Sequence, residues 1–388
     1  FSSSSFSFLL FFHSLSIVFF VACMRAQFQL LCLLAAIVVA LALLPAPSPA
    51  APWPPLWPAR APRRHYDYAP SGVRLNATAL AVFFCGNSVD GRFADHIYAA
   101  VFTEVAAARP VLMGPPRVVL APGRPGSFDD QDVCDPEPLR GPFVVAGRTY
   151  EWALFYTAAS NGTAPDGNAV GVALAVDTGA LLAGQLQRFL HPVVDRLSPP
   201  TLWGVGQPTA VLLAANTVLL AYTVGNVSRT GMAARTLAFT PDGWQLSPPS
   251  FITTAGLTTL GGTPDPELNN GALARDDRGR WWLVREAHPY PQTAPQYVSS
   301  AVQWCEGGHP LQSVPWTCFP ALTPNATGWP RNHNPGWLRR SNGTVAAVSG
   351  AGPPPVLLSV GELAVSCPDL RAEWSYRITQ YSCWHLRP

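Results

Sequence analysis

Three features of the sequence predict an all-β fold, a five-bladed β-propeller. First, from about Val73 the chain breaks into short β-type runs, among them LAVFFC, DHIYAAVF, RVVLA, PFVVA, YEWALFYT, AVGVALAV, TVLLAYTV, RWWLVREA, YVSSAVQW and TVAAVSG, punctuated by Gly, Pro, Asn and Asp. Second, helical periodicity is nearly absent, with VDTGALLAGQLQRFL fitting either a short helix or a connection. Third, four stretches share one pattern: DPEPLRGPFVVAGRTYEWALFYTA, GQPTAVLLAANTVLLAYTV, NNGALARDDRGRWWLVREA and HNPGWLRRSNGTVAAVSG. Each runs polar residue, Pro or Gly, strand, turn, strand. Their polar heads are Asp135, Gln207, Asn270 and Asn334, so the steps are 72, 63 and 64 residues. A further unit, LAVFFCGNSVDGRFADHIYAAVFTE, fits before them, and the 316 residues from Val73 onward divide by five into about 63 each. Blades around a channel leave only short, protected strand edges, which suits an all-β chain of this size.

Taken in order, residues 1–50 read as a leader. FSSSSFSFLLFFHSLSIVFFVAC precedes the first methionine, Met24, and reads as translated upstream sequence. From Met24, a positive charge at Arg25, an apolar run from Phe28 to Leu44 and small residues at Ser48 and Ala50 form a secretory signal pattern. An uncleaved membrane anchor is the alternative, at the short edge of spanning length. Residues 51–72, APWPPLWPARAPRRHYDYAPSG, are Pro-rich and read as a linker, leaving 73–388 as the propeller domain. Five N-glycosylation sequons, at Asn76, Asn161, Asn226, Asn325 and Asn342, agree with a glycoprotein that is secreted or held in an endomembrane lumen. Six cysteines follow the leader without CxxC zinc spacing, so disulfides are expected. Cys305 with Cys318 and Cys367 with Cys383 are near enough in sequence to staple hairpins, which leaves Cys85 with Cys134 across blades, one of about fifteen connectivities.

Composition closes several classes. All 25 basic residues are Arg, and a chain without lysine has no Walker loop lysine, no pyridoxal Schiff base and no protein-kinase lysine. A formal net charge of +2 on 388 residues gives no field suited to nucleic acid. GxSxG, HExxH and strand-borne GxGxxG motifs are missing, so esterase, zincin and dinucleotide readings lack support. A monomer is expected.

In a propeller the first strand of each blade lines the central channel, so Asp135, Gln207, Asn270 and Asn334 should converge at one mouth. Carboxylates there would be close together and poorly solvated, the condition that moves a pKa toward catalytic use.

DPEPLRGPF with EWALFYT, the DGRFADHIY stretch and the blade heads resemble glycoside hydrolase family 43 and its five-bladed relatives, families 32, 62 and 117, over about residues 75 to 350. The resemblance implies inverting hydrolysis of glycosyl bonds in an oligo- or polysaccharide by an Asp base, a second Asp and a Glu acid, one from each of the first three blades. It maps the base onto Asp95, or else Asp90, and the second acid onto Asp135. The third position holds Gln207, which cannot donate a proton. Either another acid serves, with Glu137, Glu267 and Glu286 as candidates, or the protein binds carbohydrate without cutting it.

Alternation in RWWLVREAHP places Trp282, Val284 and Glu286 on one strand face and Arg285 on the other. Arg285 and His288 are candidate substrate contacts, as are Glu137, Gln207, Asn270 and the triplet Asn332, His333 and Asn334. That triplet is also where the resemblance would place a structural calcium in the channel.

Overall fold

The computed structural model describes residues 55–56, 66–87, 95–103, 110–160, 167–196, 204–226, 229–287, 301–346, 353–361 and 377–381. All belong to the second of two compact units, Ala51–Pro388. The leader, Asp90, His288, Asn161, Cys367 and Cys383 lie outside the described residues.

The chain is all-β. Its first group of strands is β1 (Asp67–Arg74), β2 (Ala79–Asn87), β3 (Asp95–Thr103), β4 (Val111–Leu112) and β5 (Arg117–Leu120). The second is β6 (Asp132–Val145), β7 (Arg148–Ala159), β8 (Ala169–Ala175) and β9 (Gln187–Arg188), with a helical turn at Thr178–Leu182 whose Ala180 N–H is capped by Asp177. The third is β10 (Gly204–Ala214), β11 (Thr217–Asn226), β12 (Arg229–Thr240), β13 (Gly243–Leu246) and β14 (Ser250–Phe251). The fourth is β15 (Ala272–Arg275), β16 (Trp281–Glu286), β17 (Val302–Gly307) and β18 (Thr317–Cys318), and the last is β19 (Arg331–Arg339), β20 (Val356–Gly361) and β21 (Arg377–Tyr381). Within each group neighbouring strands pair antiparallel, and a short parallel pairing, Gly72 with Leu338 and Val73 with Arg339, joins the last group to the first. At that seam Gly336 is required, because a Cβ there would fall 1.7 Å from the carbonyl oxygen of Pro70.

Both faces of the second strands are apolar, and the packing shows why. On β7, Ala153 and Phe155 face the core shared with the third group while Trp152, Leu154 and Tyr156 face the core shared with the first. On β11, Val218, Leu220 and Tyr222 point back while Leu219 and Ala221 point forward. On β16, Trp281 and Leu283 divide from Trp282 and Val284 in the same way. The last core sets Leu338 and Leu357 against Leu80, Val82 and Phe84, so each group packs on the next and the last packs on the first. A strand buried on both faces reads as a continuous hydrophobic run rather than an alternating one.

Around the axis, the first strands of all groups meet at one buried ion pair. Glu137 on β6 pairs with Arg339 on β19. Glu137 also accepts from Ser71 Oγ on β1 at 2.7 Å and from Ala210 N on β10 at 3.1 Å, and Arg339 donates to the Leu273 carbonyl on β15 at 2.8 Å.

Two expected boundaries move. β1 begins at Asp67, inside the stretch read as a linker, because Pro70 occupies a bulge where its missing N–H costs no ladder bond. The second strand of the last group is β20, and of the stretch TVAAVSG only residues 344–346 are described, where Val345 makes isolated bridges. The disulfides Cys85–Cys134 and Cys305–Cys318 are formed as the spacing suggested.

Candidate functional site

The site starts from a repeated backbone irregularity. Ala69, Asp135, Gln207, Asn270 and Asn334 all have left-handed φ, between 41° and 50°. Each precedes Pro or Gly, and where the head lies inside a strand the ladder slips there, between Tyr68 and Ser71, Cys134 and Glu137, Gly206 and Thr209, and His333 and Gly336. Such a backbone costs roughly 1–2 kcal/mol for an L-residue, least for Asn and Asp. It also turns the N–H out of the ladder, and a buried N–H needs a partner.

That partner always comes from the second strand of the preceding group. Ala69 N donates to Ser359 Oγ at 2.9 Å, Asp135 N to Cys85 Sγ at 2.8 Å and Gln207 N to Thr157 Oγ1 at 2.7 Å. Asn270 N donates to Thr223 Oγ1 at 3.0 Å and Asn334 N to Glu286 Oε1 at 2.8 Å. The bonds run once round the ring, and the heads they hold line one cleft. Asp135, Gln207, Asn270 and Asn334 therefore converge as the repeat predicted.

The carboxyl groups around this cleft are poorly solvated. Asp135 is partly buried and accepts from Thr157 Oγ1 at 2.7 Å. Burial pushes its pKa up to about 6; the Thr157 bond and His333 oppose that rise, and the charge of Glu286 adds to it. Asp95, at the start of β3, accepts from the hydroxyls of Tyr66 and Tyr68, the latter at 2.8 Å. Burial takes its pKa to about 7; the two tyrosines hold it down and the charges of Asp132 and Asp135 push it up. Asp95 stands beside Asp135 rather than in the lining of the cleft itself.

Glu286 is fully buried. Its Oε1 accepts from Asn270 Nδ2 at 2.5 Å as well as from Asn334 N, and it lies 2.5 Å from His333 Nδ1 without the alignment of a hydrogen bond. Asn270 Nδ2 also bonds Asn334 Oδ1. The position held by Glu286 is held in the other groups by Ser359, Cys85, Thr157 and Thr223, so it alone brings a carboxylate to a task that a hydroxyl or sulfur performs elsewhere.

Other expectations separate from this cluster. Glu137 borders the cleft, yet its oxygens are committed to Arg339, Ser71 and Ala210, which makes it part of the axial plug. Arg285 is buried on the opposite strand face, bound to Asp265 at 2.5 Å, the Thr258 carbonyl at 2.6 Å and Gln303 at 2.9 Å, and so is a structural residue. Glu267 lies in the Asp265 loop outside the cleft lining. Asn332 is buried with its amide toward the Trp329 carbonyl at 3.4 Å. With His333 tied to Glu286 and Asn334 to Asn270, the triplet does not fit the cage of six or more oxygens that calcium takes. Among the described residues, the group of potential metal ligands is Cys85, Cys134 and Asp135, and both sulfurs are in a disulfide. Sequence reasoning missed Tyr66, Tyr68 and Ala69. YAPSGV could have been set beside CDPEPL, GQPTAV and HNPGWL, which share its x-Pro step.

No family model and no curated protein matches the chain. Solved structures do. A family 117 glycoside hydrolase produced by the marine bacterium Zobellia galactanivorans superposes with a TM-score of 0.53 at 12% identity, covering 85% of this chain and 87% of that one. An alpha-L-arabinofuranosidase from Lactobacillus brevis gives 0.52 at 11% identity, with 84% and 93% covered. An alpha-L-arabinofuranosidase from Podospora anserina in complex with cellotriose gives 0.51 at 10% identity, with 85% and 98% covered. The fold is that of propeller-type glycoside hydrolases. At these identities the likeness is one of fold alone.

Proposed function

We propose that this protein is a secreted, monomeric, five-bladed β-propeller that hydrolyses O-glycosyl bonds of an oligo- or polysaccharide with inversion. The observation that carries the reading is the pair Asp95 and Asp135, raised to about 7 and about 6 beside a cleft that distant segments build together. A general base works best with a pKa near the operating pH. Asp95 is that base: it takes a proton from water as the water oxygen attacks the anomeric carbon. Burial keeps Asp95 high, with the charges of Asp132 and Asp135 adding to it, and Asp135 is itself held by Thr157. The leaving oxygen takes its proton from His333, whose imidazole lies against the Glu286 carboxylate.

A second reading has its own observation. Gln207 occupies the head of the third group, where the resemblance calls for a Glu, and its amide does not transfer a proton. That favours a propeller that binds glycans without cutting them. The test incubates the full chain with a panel of aryl furanosides, aryl pyranosides and oligosaccharides from pH 5 to 8, following anomeric products by NMR alongside glycan-array binding. Turnover lost in Asp95→Asn, Asp135→Asn and His333→Ala supports hydrolysis. Binding without turnover selects the second reading, and neither binding nor turnover refutes both.

A further inference from the structure

Four of the five heads carry a side chain that can hydrogen-bond, whereas the first is the methyl of Ala69. The first group supplies a carboxyl from another strand. Asp95 enters from β3, and each of its oxygens receives one hydroxyl: Oδ1 that of Tyr66 and Oδ2 that of Tyr68 at 2.8 Å. The two tyrosines stand three residues and one residue before the head, with ring centroids 5.3 Å apart. Tyr66 is itself pinned, its backbone N–H donating to Asn87 Oδ1 at 3.1 Å, and Asp95 N donates to Asp132 Oδ1 at 2.8 Å.

Burial is the largest influence against the Asp95 carboxylate, and neighbouring charges add to it. Asp132 and Asp135 both repel its charge, and His96 acts on Asp132 rather than on Asp95. The hydroxyls are the groups that favour the carboxylate and fix both of its oxygens.

We propose that Tyr66 and Tyr68 are positioning residues that clamp Asp95 beside Asp135, one hydroxyl on each carboxylate oxygen. The inference rests on reading the cleft as an acid–base site. It makes the segment before the first head part of the working site rather than a tether.

The test titrates Asp95 by NMR in full-length protein carrying ¹³C-carboxyl aspartate, in the wild type and in Tyr66→Phe, Tyr68→Phe and the double variant. Each lost hydroxyl should move the Asp95 midpoint upward by about one pH unit, with the alkaline rise of any pH–rate profile moving alongside it. Folded Phe variants in which neither midpoint nor profile moves overturn the clamp. Absence of wild-type turnover would refute the proposed activity, while the titration would still decide the clamp.

Discussion

Replacing Asp135 by Asn should stabilise the protein at neutral pH and weaken it nowhere. Burial holds the Asp135 carboxyl at about 6 against an ordinary 3.8, a rise of about two units, and each unit corresponds to about 1.4 kcal/mol. Because the folded-state pKa is raised, the contribution of the protonated carboxyl is fully present below the unfolded value and is lost as pH climbs through the folded one. At pH 3 the wild type and Asp135→Asn should therefore be nearly equal. Between about pH 4 and pH 6 the variant should pull ahead, reaching a plateau of about 3 kcal/mol. The substitution is sterically safe: Asn270 and Asn334 already adopt this left-handed backbone, and an amide oxygen accepts from Thr157 as the carboxylate does. Urea unfolding at pH 3, 5, 7 and 8 measures the difference. A gap that does not change with pH, or a variant less stable at pH 8, would refute the account of a destabilised buried charge. The same change should reduce turnover by roughly 10²- to 10⁴-fold, the range for acid–base groups.

Three further outcomes are expected. Arg339→Met strands Glu137 without its partner at the axis and should cost about 3–5 kcal/mol in urea unfolding at pH 7. Glu286→Thr copies the residue found at the same position in two other groups, so the Asn334 N–H keeps an acceptor; the fold should survive, turnover should vanish, and NMR should show the Asp135 midpoint moving down as a repelling charge leaves. Asn76 and Asn342 are exposed, and each accepts from the hydroxyl of its own sequon Thr, at 3.2 and 2.8 Å, so after passage through a secretory lumen both should show deamidation by mass spectrometry following glycosidase release.

The sequence by itself determined the β class, the repeat and its convergent heads. These are legible because each rests on short-range chemistry: strands buried on both faces read as continuous apolar runs such as LAVFFC, and the left-handed heads require Asn, Asp or a following Pro or Gly within one or two residues. Glu286 and Arg285 were placed on opposite strand faces by alternation alone, but which face met the axis and which met Asp265 was undecided, since alternation is blind to what lies opposite. Only the tertiary structure made Glu137 a plug rather than a site residue, because its partner is 202 residues away in Arg339. It likewise decided that Tyr66 and Tyr68 meet Asp95. That contact depends on β1 pairing with β2 and β2 with β3, which sets Tyr68 opposite Cys85 and Asp95 opposite Asn87, a register that the spacing of residues along a proline-rich segment does not specify.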